Sequence, residues 1–369
     1  MNKCYRVRIY PNKQQEELIQ KTFGCCRFVY NYYLNKRITM WKENEVTFNY
    51  YDCSRDLTQL KKELSWLSEV DDSALRVSLK NLDTAYKNYF NKYSNFPKFK
   101  SKKNNYKSYT TKYTHKNIYI KDNYIRIPKL NLVKFRDKRD IQGRILGVTI
   151  SQVPSGKYYA SICCDDVVIQ QYPKTNKEIG LDLGIKDFVI TSEGVKYDNP
   201  KYLKQSLDKL AKLQRELSRK TKGSSNWNKA RIKVARQYEK IANQRRDYLN
   251  KLTTELINGN DVICIEDLDI KEMIQENKSN MRRNISDVSW YEFTRELQYK
   301  ADWYGKEVIK VDRYFASSQI CSCCGVKSPI TKNLSVRKWE CPNCNAILDR
   351  DINSAINILN EGIKQTNNL

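Results

Sequence analysis

Apolar and polar residues alternate from Lys3 to Tyr10, the period of a half-buried strand. Pro11-Asn12 stops that strand and offers Asn12 as a helix N-cap. Helical periodicity then runs through residues 13–22, 26–43, 54–64 and 73–93, the last capped by Asp72 or Ser73. Residues 94–130 change character, with lysines interleaved among aromatic side chains such as Phe96, Phe99, Tyr106 and Tyr109. Residues 117–168 read as β structure. One hairpin, 118–128, turns at Asp122-Asn123, and a second, 145–165, turns at Pro154-Ser155-Gly156. With residues 3–10 these strands make a small barrel into which the helices of 12–93 are inserted.

After a linker at Pro173–Lys177, residues 178–190 read as a strand pair. Two long amphipathic helices follow, 201–221 and 227–258, joined by Lys222-Gly223-Ser224-Ser225-Asn226. Their apolar stripes, Leu203, Leu207, Leu210 and Leu217 on one and Ile241, Leu249, Leu252 and Leu256 on the other, form an antiparallel seam. The basic stripe through Lys209, Lys212, Arg215 and Arg219 is either a solvated face or a contact to a nucleic-acid backbone. A buried strand at Val262–Ile265, another at 308–311 and a final helix from Ile352 to Leu359 complete the reading.

Charge changes this picture from a fold into a set of partners. The 369 residues hold 67 Lys and Arg against 42 Asp and Glu, a formal net charge of +25. An excess of that size suits a polyanion, through charge neutralisation and counterion release. No stretch approaches the ~18–20 apolar residues of a spanning helix, and the N-terminus lacks a signal-peptide core, so no membrane role and a cytoplasmic, nucleoid-associated setting are expected. Twelve cysteines without an export signal point to thiols and metal ligation rather than a disulfide framework. The single histidine, His115, cannot supply the histidine pair of the HUH single-strand transposases, and its setting resembles no HNH motif. Chemistry in this chain must therefore run on carboxylates, thiols or hydroxyls.

Three acids stand in settings that disfavour charge. Asp182 lies inside the apolar run Ile179–Ile185, Glu266 ends the strand 262–265, and Asp351 opens the last helix two residues after Asp349. Unpaired carboxylates in a sheet interior cost several kcal/mol, and neighbouring ones raise one another's pKa. A divalent cation with hard oxygen ligands, such as Mg²⁺, removes the difficulty. Strand Asp, strand-end Glu and C-terminal helix Asp follow the order of an RNase H-like set, which holds two metals ~3.5–4 Å apart for phosphodiester hydrolysis. Read singly, Asp182 also suits a hairpin turn, Asp267 or Asp269 could replace Glu266, and Asp351 could be only an N-cap. Cys321-x2-Cys324 and Cys341-x2-Cys344, sixteen residues apart, have zinc-ribbon spacing and would hold one structural Zn²⁺; Cys323 is a competing thiol in the first knuckle.

The residues that carry a family likeness are Gly180-Leu181-Asp182-Leu183-Gly184-Ile185-Lys186, Ile285–Trp290, Ser317-Ser318-Gln319, the two cysteine knuckles and Asp349-Arg350-Asp351-Ile352-Asn353-Ser354-Ala355. Arg27–Asn31 and Phe96–Lys100 add to them. On these the chain resembles the TnpB (insertion-sequence OrfB) family of transposon-encoded proteins over nearly its whole length. The resemblance implies an α+β multidomain fold. In it, residues 1–172 form a wedge β-barrel (about 1–11 and 94–172) with an inserted helical recognition lobe (about 12–93). Residues 173–369 form an RNase H-like (RuvC) nuclease domain carrying a basic helical hairpin, 201–258, and an inserted zinc ribbon, 317–346.

The resemblance also implies an RNA-guided, Mg²⁺-dependent DNA endonuclease related to type V CRISPR effectors. Its guide RNA derives from the transposon end, its target is double-stranded DNA, and a separate transposase is encoded elsewhere. The catalytic Asp-Glu-Asp set maps onto Asp182, Glu266 and Asp351, binding two Mg²⁺, with Asp349 an alternative to Asp351. The zinc ligands map onto Cys321, Cys324, Cys341 and Cys344. Ser354 stands where Ala is usual. The rival functions are a transposase acting directly on element ends and an RNA-guided repressor that does not cut.

Overall fold

The computed structural model describes residues 1–104, 106–333 and 335–367. The chain divides into two compact units, Met1–Val168 and Ile169–Leu369. In the first unit the alternating segment forms β1 (Lys3–Tyr10), whose inward Tyr5, Val7 and Ile9 are buried. Three helices follow: α1 (Lys13–Asn44), α2 (Tyr50–Glu63) and α3 (Asp72–Phe90). Asn12 caps α1 as expected, in a capping box with Gln15.

The expected pair of helices, 13–22 and 26–43, is one helix of 32 residues. Gly24 interrupts the pattern at a cost of about 1 kcal/mol, but Ile19, Phe23, Cys26, Val29, Tyr33 and Leu34 all bury along the same helix. Packing therefore overrides the local break. Neither expected residue caps α3. The cap position is Asp71, without a side-chain cap bond. Asp71 instead accepts from the Thr111 hydroxyl at 2.6 Å, and the Ser73 hydroxyl accepts from the Lys112 amide at 3.0 Å. The polar side chains at the helix start are spent on fastening α3 to a strand.

That strand is β2 (Lys107–Lys112), followed by β3 (Tyr119–Lys121), β4 (Tyr124–Ile127), β5 (Asn131–Arg136), β6 (Arg144–Gln152) and β7 (Tyr158–Asp165). Both expected hairpins are present, β3–β4 turning through Asp122 at φ 52° and β6–β7 through Gly156 at φ 87°. The seven strands form one antiparallel sheet in the order β2-β6-β7-β1-β5-β4-β3. No ladder joins β2 to β3 among the described residues, so the expected barrel is a hydrogen-bonded sheet with two free ends.

The second unit is built on β8 (Glu178–Leu183), β9 (Asp187–Thr191), β10 (Lys196–Asp198), β11 (Val262–Glu266) and β12 (Glu307–Val311). Their order, β10-β9-β8-β11-β12, places three antiparallel strands beside two parallel ones, the RNase H-like arrangement expected from the acid order. Between β10 and β11 lie α4 (Tyr202–Gln205), α5 (Leu207–Ser218) and α6 (Ser225–Gly259). The expected helix 201–221 is therefore split at Ser206 and ends three residues early. After β11 come α7 (Ile270–Glu276), α8 (Ser279–Val288) and α9 (Trp290–Tyr304). β13 (Lys338–Glu340) and β14 (Ile347–Asp349) pair, and α10 (Arg350–Asn367) closes the chain.

The sheet core joins Leu181, Val189, Ile263 and Ile265 to Leu252, Leu256, Phe293 and Leu297 of α6 and α9. On the other face α10 lies unusually close to the sheet. A Cβ on Gly180 would stand 2.0 Å from the Ala355 carbonyl, and one on Gly362 would stand 2.4 Å from Cys264 Sγ. Glycine at these two positions lets α10 cross β8 and β11 at backbone contact. No helix among the described residues is long and apolar enough to cross a membrane.

Candidate active site

Asp182 is not a turn residue. It sits in β8, the central strand, opposite Ile190 of β9. Leu181 and Ile265 are partners in the parallel ladder of β8 and β11, so the next residues, Asp182 and Glu266, end neighbouring strands on one face. α10 brings Asp351 to the same place in its first turn. The close approach at Gly180 thus decides which side chains of α10 can reach the sheet.

Hydroxyls link the acids. Ser354 Oγ lies 3.1 Å from Asp182 Oδ1 and 2.9 Å from Ser317 Oγ, and the Ser317 hydroxyl donates to Glu266 Oε1 at 2.5 Å. The Ser354 hydroxyl has a single hydrogen to share between Asp182 and Ser317. Burial first, then the Glu266 and Asp351 carboxylates, raise the Asp182 carboxyl from 3.8 to about 7. Burial likewise pushes Glu266 above the ordinary carboxylate range, with Ser317 opposing.

The alternative acids are engaged elsewhere. Asp267 pairs with Lys310 and Arg313; Asp269 pairs with Arg313 and caps α7. Asp349 Oδ1 accepts from the Asp351 and Ile352 amides, and its other oxygen meets Lys196 Nζ at 2.8 Å. Burial would raise the Asp349 carboxyl, but Lys196 and these amides hold it below the usual range. Asp349, not Asp351, is the capping residue.

Asp351 faces a cavity of about 570 Å³ together with Asp182, and Lys186, Lys201, Lys204 and Arg350 also line it. Arg337, from the ribbon, reaches Asp351 Oδ2 at 3.0 Å. Deeper in the wall Asp287 is held by Arg245. The three carboxylates offer hard oxygens that suit Mg²⁺. They do not close up as the thiols do. Among the described residues, only the four cysteine sulfurs form a group of three or more candidate ligands lying within 4.8 Å of one another. The Arg337 contact is the reason visible at Asp351.

The zinc-ribbon thiols converge. Cys321 and Cys344 sulfurs are 3.7 Å apart, and those of Cys324 and Cys341 are 3.5 Å apart. A tetrahedron with metal–sulfur bonds of ~2.3 Å has sulfur edges of about 3.8 Å. Both knuckles repeat one turn: Gly325 N donates to Cys321 O, and Asn345 N to Cys341 O. The Val326 amide, with Asn343, lowers the Cys324 thiol to about 6. The exposed Cys323 stands outside the cluster. Asn353 and Asn357 of α10 both donate to Ile320 O, at 2.7 and 2.6 Å, which ties the ribbon's root to the helix carrying Asp351.

Several side chains around the acids escape a reading of the sequence. Ser317 and Ser354 lie in quoted motifs, but nothing local says they bridge two carboxylates. Arg337 sits fourteen residues before Asp351 and meets it only through the fold of the ribbon. Lys201 is the N-cap residue of the short helix α4 and Lys204 lies within it, and the break at Ser206 separates them from the basic stripe of α5.

Several known proteins and family models are similar to this chain. Residues 161–277 match a family described as "Probable transposase", residues 290–358 a "Cas12f1-like, TNB domain", and residues 1–45 a "Helix-turn-helix domain", here β1 and the single helix α1. A candidate RNA-guided DNA endonuclease of Streptomyces pristinaespiralis is 37% identical over 98% of this chain and 90% of its own. InsQ of Escherichia coli (strain K12), with the same description, is 33% identical over 97% and 92%. The cryo-EM structure of a Cas12f1-sgRNA-target DNA complex covers 98% of this chain and 99% of that one at 15% identity, with a TM-score of 0.37 that carries no argument. The extent and identity of the two full-length matches make this chain a member of the insertion-sequence OrfB family, the TnpB-like proteins.

Proposed function

We propose that the protein is a transposon-encoded, RNA-guided DNA endonuclease that hydrolyses phosphodiesters at the C-terminal ends of the inner strands β8 and β11. The observation that carries this reading is the meeting of Asp182, Glu266 and Asp351 beside a cavity rimmed by lysines and arginines. An acidic floor under a basic rim suits a phosphodiester that must be held by its charge and attacked beside carboxylates. Two relatives that span nearly the whole chain carry the same activity in their names.

In this reading Asp182, Glu266 and Asp351 hold the catalytic Mg²⁺. When bound, two such ions supply an activated water and stabilise the leaving oxygen. Ser317 and Ser354 orient the carboxylates of Glu266 and Asp182. Lys186, Lys201 and Lys204 bind phosphates of the strand on either side of the cut. The zinc ribbon, 317–346, with Zn²⁺ on Cys321, Cys324, Cys341 and Cys344, is structural and holds Arg337 and the root of α10 in place.

The rest of the layout belongs to the same proposal. Residues 1–11 and 94–172 act as the wedge, 12–93 as the recognition lobe and 201–258 as a basic hairpin against the nucleic acid. The RNA comes from the transposon end, the target is double-stranded DNA, and a separate transposase moves the element. A direct transposase is the second reading, favoured by the description of the family matched at 161–277.

The test is to purify the protein from cells carrying its native locus and sequence the RNA that accompanies it. That RNA then programs a Mg²⁺ cleavage assay on a matching duplex, with strand transfer of labelled element ends run in parallel. A discrete RNA and guided cutting lost in Asp182→Ala support the endonuclease. Strand transfer without guided cutting supports the transposase and overturns it.

A further inference from the structure

A second cavity, of about 640 Å³, lies within residues 1–168, between the C-terminal half of α1, residues 46–49 and the end of α3. Six aromatic rings line it: Trp41, Phe48, Tyr86, Tyr89, Phe90 and Phe96. Trp41 and Phe90 are 59% and 72% exposed, an expensive way to leave large rings unless something covers them. Phe96 stands edge-on to both Tyr86 and Tyr89, at 5.6 and 5.2 Å between centroids, so part of the wall is braced.

Arg37 stands behind this wall: its side chain is only 9% exposed, Asp83 is 3.7 Å from its Nη2, and the Tyr86 ring centroid lies 5.1 Å from the guanidinium carbon. Lys42 and Lys87 also line the cavity, and Lys36 sits over the Phe48 ring.

The occupant must be flat and apolar on its faces to use the rings, and joined to negative charge to meet Lys42 and Lys87. An aliphatic peptide offers neither, and a bare phosphate leaves six rings unused and faces Asp83. A nucleobase with its flanking phosphates meets every demand. Single-stranded RNA presents splayed bases to aromatic and arginine planes, whereas duplex DNA keeps its bases stacked.

We propose that this cavity captures an unpaired base of the RNA the protein carries. The base stacks among Trp41, Tyr89 and Phe90, and Lys42 and Lys87 contact the adjoining phosphates. This rests on the RNA-guided reading above.

The experiment uses the full chain with the RNA that copurifies. Ultraviolet crosslinking of that RNA, followed by mass spectrometry, locates contacted peptides. Filter binding compares wild type with the Trp41→Leu/Phe90→Leu double variant, whose exposed positions leave the core untouched. Crosslinks in 37–48 or 83–96 and RNA retention weakened about tenfold in the variant are expected. Lys42→Gln should weaken it likewise. A discrete RNA with no crosslink there and unchanged retention would overturn the pocket and leave the RNA-guided reading standing. A wild-type dimer that the variant dissolves without losing RNA would also overturn it. Absence of any discrete RNA would overturn both readings.

Discussion

Ser354 Oγ lies 3.1 Å from Asp182 Oδ1, so a residue of the last helix gives the central carboxylate its hydroxyl partner. The same oxygen is 2.9 Å from Ser317, whose hydroxyl reaches Glu266. Two strand-end acids are therefore joined through α10 and the root of the ribbon.

If that bridge is supportive rather than chemical, Ser354→Ala should keep Mg²⁺-dependent cutting within several-fold of wild type. The buried hydrogen bond should cost about 1 kcal/mol in urea unfolding measured in chelator. Loss of cutting on the scale of Asp182→Ala would make Ser354 part of the chemistry.

Gly180→Ala should be among the most damaging single-methyl changes in the protein. Its Cβ would meet the Ala355 carbonyl at 2.0 Å and the Leu359 amide at 2.8 Å, both backbone. Either β8 or α10 must shift, at a cost of about 1–3 kcal/mol or more. Thermal unfolding should show the loss, and cutting should fall further than stability because Asp351 and Ser354 move with α10.

Acid should loosen the far end of the same sheet. Asp261, just before β11, accepts from Lys306 Nζ at 2.5 Å and from the Thr175 and Asn176 amides. The Lys306 hydrogen bond, against some burial, holds the Asp261 carboxyl well below the usual carboxylate range. A depressed acid contributes stability that is present above its unfolded pKa of about 4 and lost as pH falls below it. Asp261→Asn should therefore cost about 2 kcal/mol at pH 7. That is less than the ~3–5 kcal/mol of a fully buried pair, since Asp261 keeps 22% exposure while Lys306 keeps 1%. In urea unfolding at pH 7 and pH 3, the gap between variant and wild type should narrow at the lower pH.

Metal analysis should separate the five thiols of the ribbon. Cys341→Ser should lose bound zinc and lower the melting temperature, because a closed four-thiolate shell contributes folding energy directly. Cys323→Ser should retain one zinc per chain. Zinc lost equally in both would overturn the assignment of Cys324 over Cys323.

What the sequence by itself determined lies where the signal is local. Alternation marked β1, the turns at Asp122 and Gly156 marked two hairpins, and knuckle spacing marked four cysteines that the structure brings together. Asp182 stood out because an apolar run disfavours a charged side chain. Local signals failed where burial from elsewhere outweighed them. α1 runs through Gly24 because its flanking residues bury together, and Asp71 and Ser73 serve β2 rather than capping α3. Only the tertiary structure shows Asp267 and Asp269 paired with Lys310 and Arg313, and makes Asp349 the cap while leaving Asp351 to the cavity. Those outcomes depend on parallel register and on how closely α10 approaches β8 at Gly180. Which of several neighbouring polar groups is buried beside which partner is a property of contacts up to 172 residues apart, as between Asp182 and Ser354, and periodicity does not encode it.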